Sequence, residues 1–340
     1  MNVLFIGGTG IISTACTEFA VARGFDVTLL NRSGRAYMPD TQKIAADIND
    51  PIAASVALTN RTWDVVVDFL AFTPEQIEQR IELFRGRTGQ YVFISSASAY
   101  QKPLRGHLPI TESTPLANPF WDYSRNKIAC EDRLMRAFRD EEFPVVIVRP
   151  SLTYGNTVIP LAINSWQKSF TAIARLRRGE PLIIPGDGLT PWTVTHSSDF
   201  ARGFVGLLGN AGTIGHAFHI TSAEAPTWND LYKWTAEAAG VPDAKFVHIA
   251  SDFICACLPG MTGTLLGDKA NPAIFDNSKI RRFVPAFASI VRYRDGIKRT
   301  IDWFDADPAR QQVDAAMDAQ WDKLIAAYER GLDDAKAEFL

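Results

Sequence analysis

Val3-Leu4-Phe5-Ile6-Gly7-Gly8-Thr9-Gly10-Ile11-Ile12-Ser13 is the stretch that decides the fold of this chain. A short apolar run passes directly into a glycine turn, and a helical stretch follows at once, which predicts strand, turn and helix in succession. Gly7 allows the tight turn. Gly10 lets backbone N–H groups approach a pyrophosphate, which then lies at the positive end of a helix beginning near Ile11. Thr9, Ile11 and Ile12 belong to the same phosphate-facing turn. The usual third glycine is replaced by Ser13, a side chain small enough for close helix packing.

Outward from that turn, apolar strands at 2–6, 26–30, 64–69, 90–95 and 144–149 alternate with helical stretches at 15–23, 74–85 and 122–139. This alternation predicts a Rossmann-type doubly wound parallel sheet in an α/β chain. After Gly155 a series of prolines and glycines (Pro160, Pro181, Pro185, Gly186, Gly188, Pro191) breaks the pattern and marks departure into a smaller substrate lobe.

Tyr123 and Lys127 are four residues apart on the 122–139 helix, which stacks a phenol and an ammonium on one face. A nearby cation favours phenolate and brings the phenol toward proton transfer at neutral pH. Tyr91-Val92-Phe93-Ile94-Ser95-Ser96 ends in hydroxyls and sets Ser96 at the carboxyl edge of a strand, where open α/β sheets bind ligands. With the glycine turn, Ser96, Tyr123 and Lys127 give the chain its resemblance to extended or atypical short-chain dehydrogenase/reductases of the NAD-dependent epimerase/dehydratase family. The match continues through Arg149-Pro150-Ser151-Leu152-Thr153-Tyr154-Gly155 to His196-Ser197-Ser198-Asp199-Phe200-Ala201.

The resemblance implies an NAD(P)-dependent oxidoreductase or epimerase acting at a hydroxyl or keto carbon of a sugar-like substrate. Ser96, Tyr123 and Lys127 are then the relay. Pro150 and Leu152 join the cofactor site, as do Asp47-Ile48, which resemble the adenine-contacting pair, and Leu70-Ala71, which resemble the turn beneath the adenosine ribose. It also implies interleaved domains. Residues 1–155 form the nucleotide domain, a segment at about 192–222 returns to it, and 156–191 with 223–340 form the substrate lobe. Asp199 is expected to cap the helix after the returning strand, with His196 structural.

At the end of the second strand, where an acid would bind the ribose hydroxyls and select NAD, stands Asn31-Arg32-Ser33. A guanidinium suits a 2′-phosphate, so NADP is preferred, with NAD remaining open. Ala97-Ser98 replaces the Asp-Glu pair of related 4,6-dehydratases, which disfavours that reaction. Trp192 falls where many epimerases carry a diphosphate-binding arginine. With Phe120-Trp121, it suggests aromatic walls for a small sugar, ketosugar or sugar acid without UDP or dTDP.

The 340 residues carry a formal charge of −3 and no long basic stripe, which argues against nucleic acid as a partner. That bears on a second resemblance, to a chloroplast branch of the same superfamily described as RNA-binding, clearest over Trp192–Ala201 and His219-Ile220-Thr221. No apolar run approaches the ~18–20 residues of a membrane span. Met1-Asn2 leads straight into the first strand without room for a signal peptide. Cys16, Cys130, Cys255 and Cys257 have no metal spacing and read as reduced thiols of a cytoplasmic protein. No metal is expected. The helices at 74–85 and 122–139 resemble those that pair across a two-fold axis in related enzymes, so a homodimer is expected, with Ile77, Ile81, Phe84, Ile128, Leu134, Met135 and Phe138 as its apolar candidates.

Overall fold

A computed structural model describes residues 1–33, 38 and 40–339. The chain opens with β1 (Asn2–Ile6), α1 (Ile11–Ala22), β2 (Asp26–Asn31), β3 (Gln42–Ala45), α2 (Pro51–Ala57), β4 (Val65–Asp68), α3 (Pro74–Phe84) and β5 (Tyr91–Ile94). It continues with α4 (Asp122–Glu141), β6 (Val145–Arg149), β7 (Leu152–Tyr154), α5 (Thr171–Arg177), β8 (Leu182–Pro185), β9 (Val194–His196), α6 (Ser197–Leu207) and β10 (Ala217–His219). Seven strands form one parallel sheet in the order β10-β6-β5-β4-β1-β2-β3. Successive strands run outward from β1 in opposite directions, so the switch point lies between β1 and β4, and the crevice above their carboxyl ends is where such a sheet takes a ligand.

Both faces of the sheet are covered, which is why its strands are continuous apolar runs rather than alternating ones. On one face α1 packs beside α6, and Cys16, Ala20, Phe200 and Phe204 bury against Phe5 and Val67. On the other, Ile77, Ile81, Phe84, Cys130 and Leu134 of α3 and α4 bury against Leu4, Val66 and Phe93. The apolar positions proposed for a dimer are thus largely spent on the chain's own sheet, as each helix must cover it. The outer faces are ionic instead, with Arg133 paired to Glu78 and Glu141.

One sequence expectation, the cap of α6, is corrected here. The strand that opens the returning segment is β9. It pairs with β7 in a separate two-stranded sheet, while α6 covers the main sheet and β10 supplies its seventh strand. Asp199 does not cap α6: the cap is His196, whose side chain accepts from the Ser198 N–H. Asp199 lies in the first turn, where its Oδ2 accepts from the backbone of Ile290 and Val291 at 2.9 and 2.8 Å. The short edge strand β3 was not anticipated.

A second apolar core joins Tyr154, Phe170, Ile184, Trp192, Trp228, Tyr232 and Tyr293. It is built by β8, α7 (Trp228–Ala238), β11 (Phe246–Ile249), which pairs with β8, and the helix Tyr293–Asp305. Behind it, α8 (Ser251–Cys257) and the long helix Ala315–Phe339 close a third, through Ile254, Leu265 and Trp321. No helix among the described residues is long and apolar enough to cross a membrane.

Candidate active site

Local chemistry at the end of β1 shapes the first half of the site. Gly7 and Gly8 have φ of +111° and +89°, a region that side chains strain to enter, and a Cβ on Gly8 would lie 2.6 Å from Leu29 Cδ2. Ser13, where a third glycine is usual, is buried and accepts a hydrogen bond from the Gly10 N–H at 2.8 Å. Beside this turn, Gly7, Thr9, Asn31, Arg32, Ser33, Asp47, Ile48 and Leu70 line one cleft of about 470 Å³, together with Phe72 and Gln76. Gly10, Ile11 and Ile12 stand at the start of α1, next to the turn. These glycines, the helix start and Arg32 at the end of β2 fit an adenine dinucleotide.

A second cavity, of about 340 Å³, brings together two of the three residues expected to form the relay, Ser96 and Tyr123. Ser96, Ala97, Ser98, Trp121, Tyr123, Pro150, Leu152 and Trp192 all line it. The Ser96 hydroxyl lies 2.9 Å from Ser98 Oγ, which accepts from Ser124 Oγ at 2.7 Å. Burial pushes the Tyr123 phenol above its ordinary range; the Ser96 side chain offsets this in part, and Asp268 adds to it.

Lys127 departs from the simple expectation. Its ammonium is buried and donates to the carbonyls of Ala71 and Ile94, both at 2.7 Å, and it faces the rings of Phe72 and Phe93 at 4.5 and 4.7 Å. The Tyr123 ring centroid is 5.8 Å away. Burial lowers the Lys127 pKa to about 8. The cation is therefore spent on backbone carbonyls in this arrangement, and the phenol is governed by burial rather than by Lys127. Ala71 thus enters the site through its carbonyl rather than through the cleft wall.

Trp121 packs on Tyr123 at 4.9 Å, while Trp192 stacks on Trp228 at 5.4 Å with one ring face committed to the second core. His196 is a structural cap; burial lowers its pKa to about 4. Glu112 Oε1 accepts from the His219 N–H at 3.2 Å, outside the relay cavity. Sequence reasoning missed Lys102, Trp166, Thr264, Asp268 and Lys269, which also line the relay cavity. The Ile249–Gly267 stretch both packs and lines the cavity, the latter through Thr264. Ile254 and Leu265 are buried, while Gly263 and Gly267 lie so close to Trp121 that a Cβ on Gly263 would stand 2.3 Å from Trp121 Cδ1. Among the described residues no cluster of three or more His, Cys, Asp or Glu is placed to hold a metal.

The model of the NAD-dependent epimerase/dehydratase family matches residues 3–221, and the chain belongs to that family of NAD-dependent oxidoreductases and epimerases. It is 27% identical over 262 residues to the chloroplast stem-loop binding protein of 41 kDa b of Arabidopsis thaliana, covering 73% of this chain and 65% of that relative, just under two thirds of its length. It is 23% identical over 248 residues to the 2′-dehydrokanamycin reductase of Streptomyces kanamyceticus, covering 71% and 68% of the two chains. Among solved structures, a dTDP-glucose 4,6-dehydratase from Bacillus anthracis in complex with NAD superposes with a TM-score of 0.72 at 17% identity, the match covering 91% of this chain and 98% of that one. That likeness is one of fold.

Proposed function

We propose that the protein transfers a hydride at a hydroxyl or keto carbon of a small sugar-like substrate, with Ser96, Tyr123 and Lys127 as its relay. The observation that carries this reading is the meeting of Ser96 and Tyr123 on the wall of one aromatic-lined cavity, with a separate nucleotide-shaped cleft at the glycine turn. A nicotinamide dinucleotide held by Gly7, Thr9, Arg32, Asp47, Ile48, Leu70, Pro150 and Leu152 would supply or accept the hydride. Tyr123 Oη gives its proton to the substrate oxygen in reduction and takes it back in oxidation, and Ser96 Oγ donates a hydrogen bond to that oxygen. Lys127, with two of its three N–H donors given to the Ala71 and Ile94 carbonyls, would offer the third to the ribose next to the nicotinamide. Ala97-Ser98 provides no carboxylate for 4,6-dehydration, so reduction, oxidation or epimerisation is favoured.

NADP is the proposed cofactor because Arg32 lines the adenosine cleft at the end of β2, where the chain carries no acid. RNA binding is not carried over from the chloroplast relative, given the net charge of −3. The substrate lobe is assigned to 156–191 and 223–340. A cytoplasmic location accords with four unpaired thiols. A homodimer through α3 and α4 would meet through polar outer faces, and light scattering at micromolar concentration tests it: a mass near 37.6 kDa would refute it. The activity is tested by screening free sugars, sugar acids and nucleotide sugars with both cofactors while following nicotinamide absorbance. Turnover of a small ketosugar or sugar acid is expected. Turnover of nucleotide sugars alone would overturn the substrate assignment, and tightly bound nicotinamide in the purified protein would favour an epimerase.

A further inference from the structure

Three charged side chains outside the relay reach the cavity that Ser96 and Tyr123 line: Lys102, Asp268 and Lys269. Two of them answer each other, with Lys269 Nζ 3.5 Å from Asp268 Oδ2. Lys102 is different. It is 3% exposed, and among the described residues the carboxylate that acts on its ammonium is Asp268, which forms its close ion pair with Lys269 instead. It lies 6.0 Å from the centroid of Trp192, which lines the same cavity.

Its position is not that of a loose loop. The Lys102 N–H donates to Ala117 O at 2.8 Å, the Gln101 N–H to Pro115 O at 2.8 Å, and the Ala117 N–H to Ala99 O at 3.1 Å. The backbone therefore holds this lysine with its side chain inward. Burial pushes the pKa of this ammonium down and the Asp268 carboxylate offsets that only in part, so a charge held on the cavity wall without a close partner is costly to the fold. Such a group is retained where a ligand supplies the missing charge.

We propose that Lys102 is a specificity-determining contact for a carboxylate on the substrate, so that the protein acts on a sugar acid in preference to the neutral sugar. Two ammonium groups against one carboxylate leave a single uncompensated positive charge on the cavity wall, which matches one carboxylate better than a doubly charged phosphate ester. Trp121, Trp166 and Trp192 provide apolar faces for the carbon skeleton. The inference rests on the reading of this cavity as the substrate site.

The test titrates D-glucuronate, D-glucose and D-glucose 6-phosphate into the full chain saturated with NADP, reading tryptophan fluorescence, for the natural protein, Lys102→Met and Tyr123→Phe. Glucuronate is expected to bind the natural protein at least ~10-fold tighter than glucose, the low end for a lost charge-assisted contact. Lys102→Met should erase that preference with glucose affinity unchanged. It should also raise the melting temperature, since a buried unpaired charge is replaced by a thioether of similar length; a structural lysine would lower it. Equal affinity of the natural protein for acid and neutral sugar, absence of glucuronate binding, or a preference that survives Lys102→Met would overturn the proposal, and tighter binding of the phosphate would overturn the carboxylate assignment. Tyr123→Phe should keep the preference. Acid binding through Lys102 without turnover would count against the hydride-transfer reading alone, whereas turnover indifferent to the acid would count against Lys102 alone.

Discussion

Glu131→Ala is expected to destabilise the protein far more than the loss of any exposed charge. The carboxylate is 3% exposed on α4, one turn beyond Lys127. Its Oε1 accepts from Ser95 Oγ and from Arg149 Nε at 3.0 Å, and its Oε2 from Arg149 Nη2 at 2.6 Å. This one side chain therefore ties the helix carrying Tyr123 to the ends of β5 and β6. Removing one partner of a buried pair costs ~3–5 kcal/mol, because the other charge is left without compensation. Arg149 retains the Glu112 carbonyl at 3.3 Å and the Tyr100 ring at 4.9 Å, which places the expected loss toward the lower end, at about 3 kcal/mol. Urea unfolding followed by circular dichroism measures it, as a lowered midpoint with an unchanged slope. The double variant Glu131→Leu with Arg149→Met should recover much of the loss, since apolar replacement of a whole buried pair is often neutral. A single-variant loss below about 1 kcal/mol, or strict additivity in the double-variant cycle, would refute the reasoning.

Arg32→Ala should weaken NADP by ~1–3 kcal/mol and leave NAD nearly unchanged, as titration of both cofactors would show; equal loss for the two would remove the 2′-phosphate contact. The pH profile should separate the two directions of reaction. Burial holds Tyr123 protonated beyond its ordinary range, so carbonyl reduction, which needs the phenol proton, should stay flat from about pH 6 to about pH 8, while oxidation, which needs phenolate, should climb. Initial rates in both directions check this, and reduction that falls through neutrality would contradict it.

The glycine turn, the strand ends and the Tyr123–Lys127 spacing were legible in the sequence because each is a local rule. A turn that needs positive φ selects glycine, and a four-residue step on a helix places two side chains on one face. Spacing did not reveal where the Lys127 ammonium ends up, since the carbonyls that claim it come from elsewhere in the chain, Ala71 in the loop after β4 and Ile94 at the end of β5. Lys102 and Asp268 escaped notice for the same reason: only the folded chain brings residues from the 97–102 and 264–273 segments to one cavity. The apolar rows of α3 and α4 were legible as rows but not as to which surface they meet, and most of them meet the sheet. The cap of α6 was misplaced by three residues because both His196 and Asp199 accept backbone hydrogen bonds, and only the fold shows that Asp199 spends its oxygen on Ile290 and Val291. The strand β3 has one buried residue, Ile44, and so presents almost no apolar pattern to read.

The most direct test of hydride transfer through this relay is Tyr123→Phe, assayed for turnover and for cofactor affinity in the same preparation. The ring still packs against Trp121 and Phe72, so the cavity keeps its shape while the exchangeable proton is removed. Turnover should fall by ~100-fold or more, the scale of general acid–base catalysis, with cofactor affinity unchanged. Activity within a few-fold of the natural protein would contradict the assignment of Tyr123 as the proton donor.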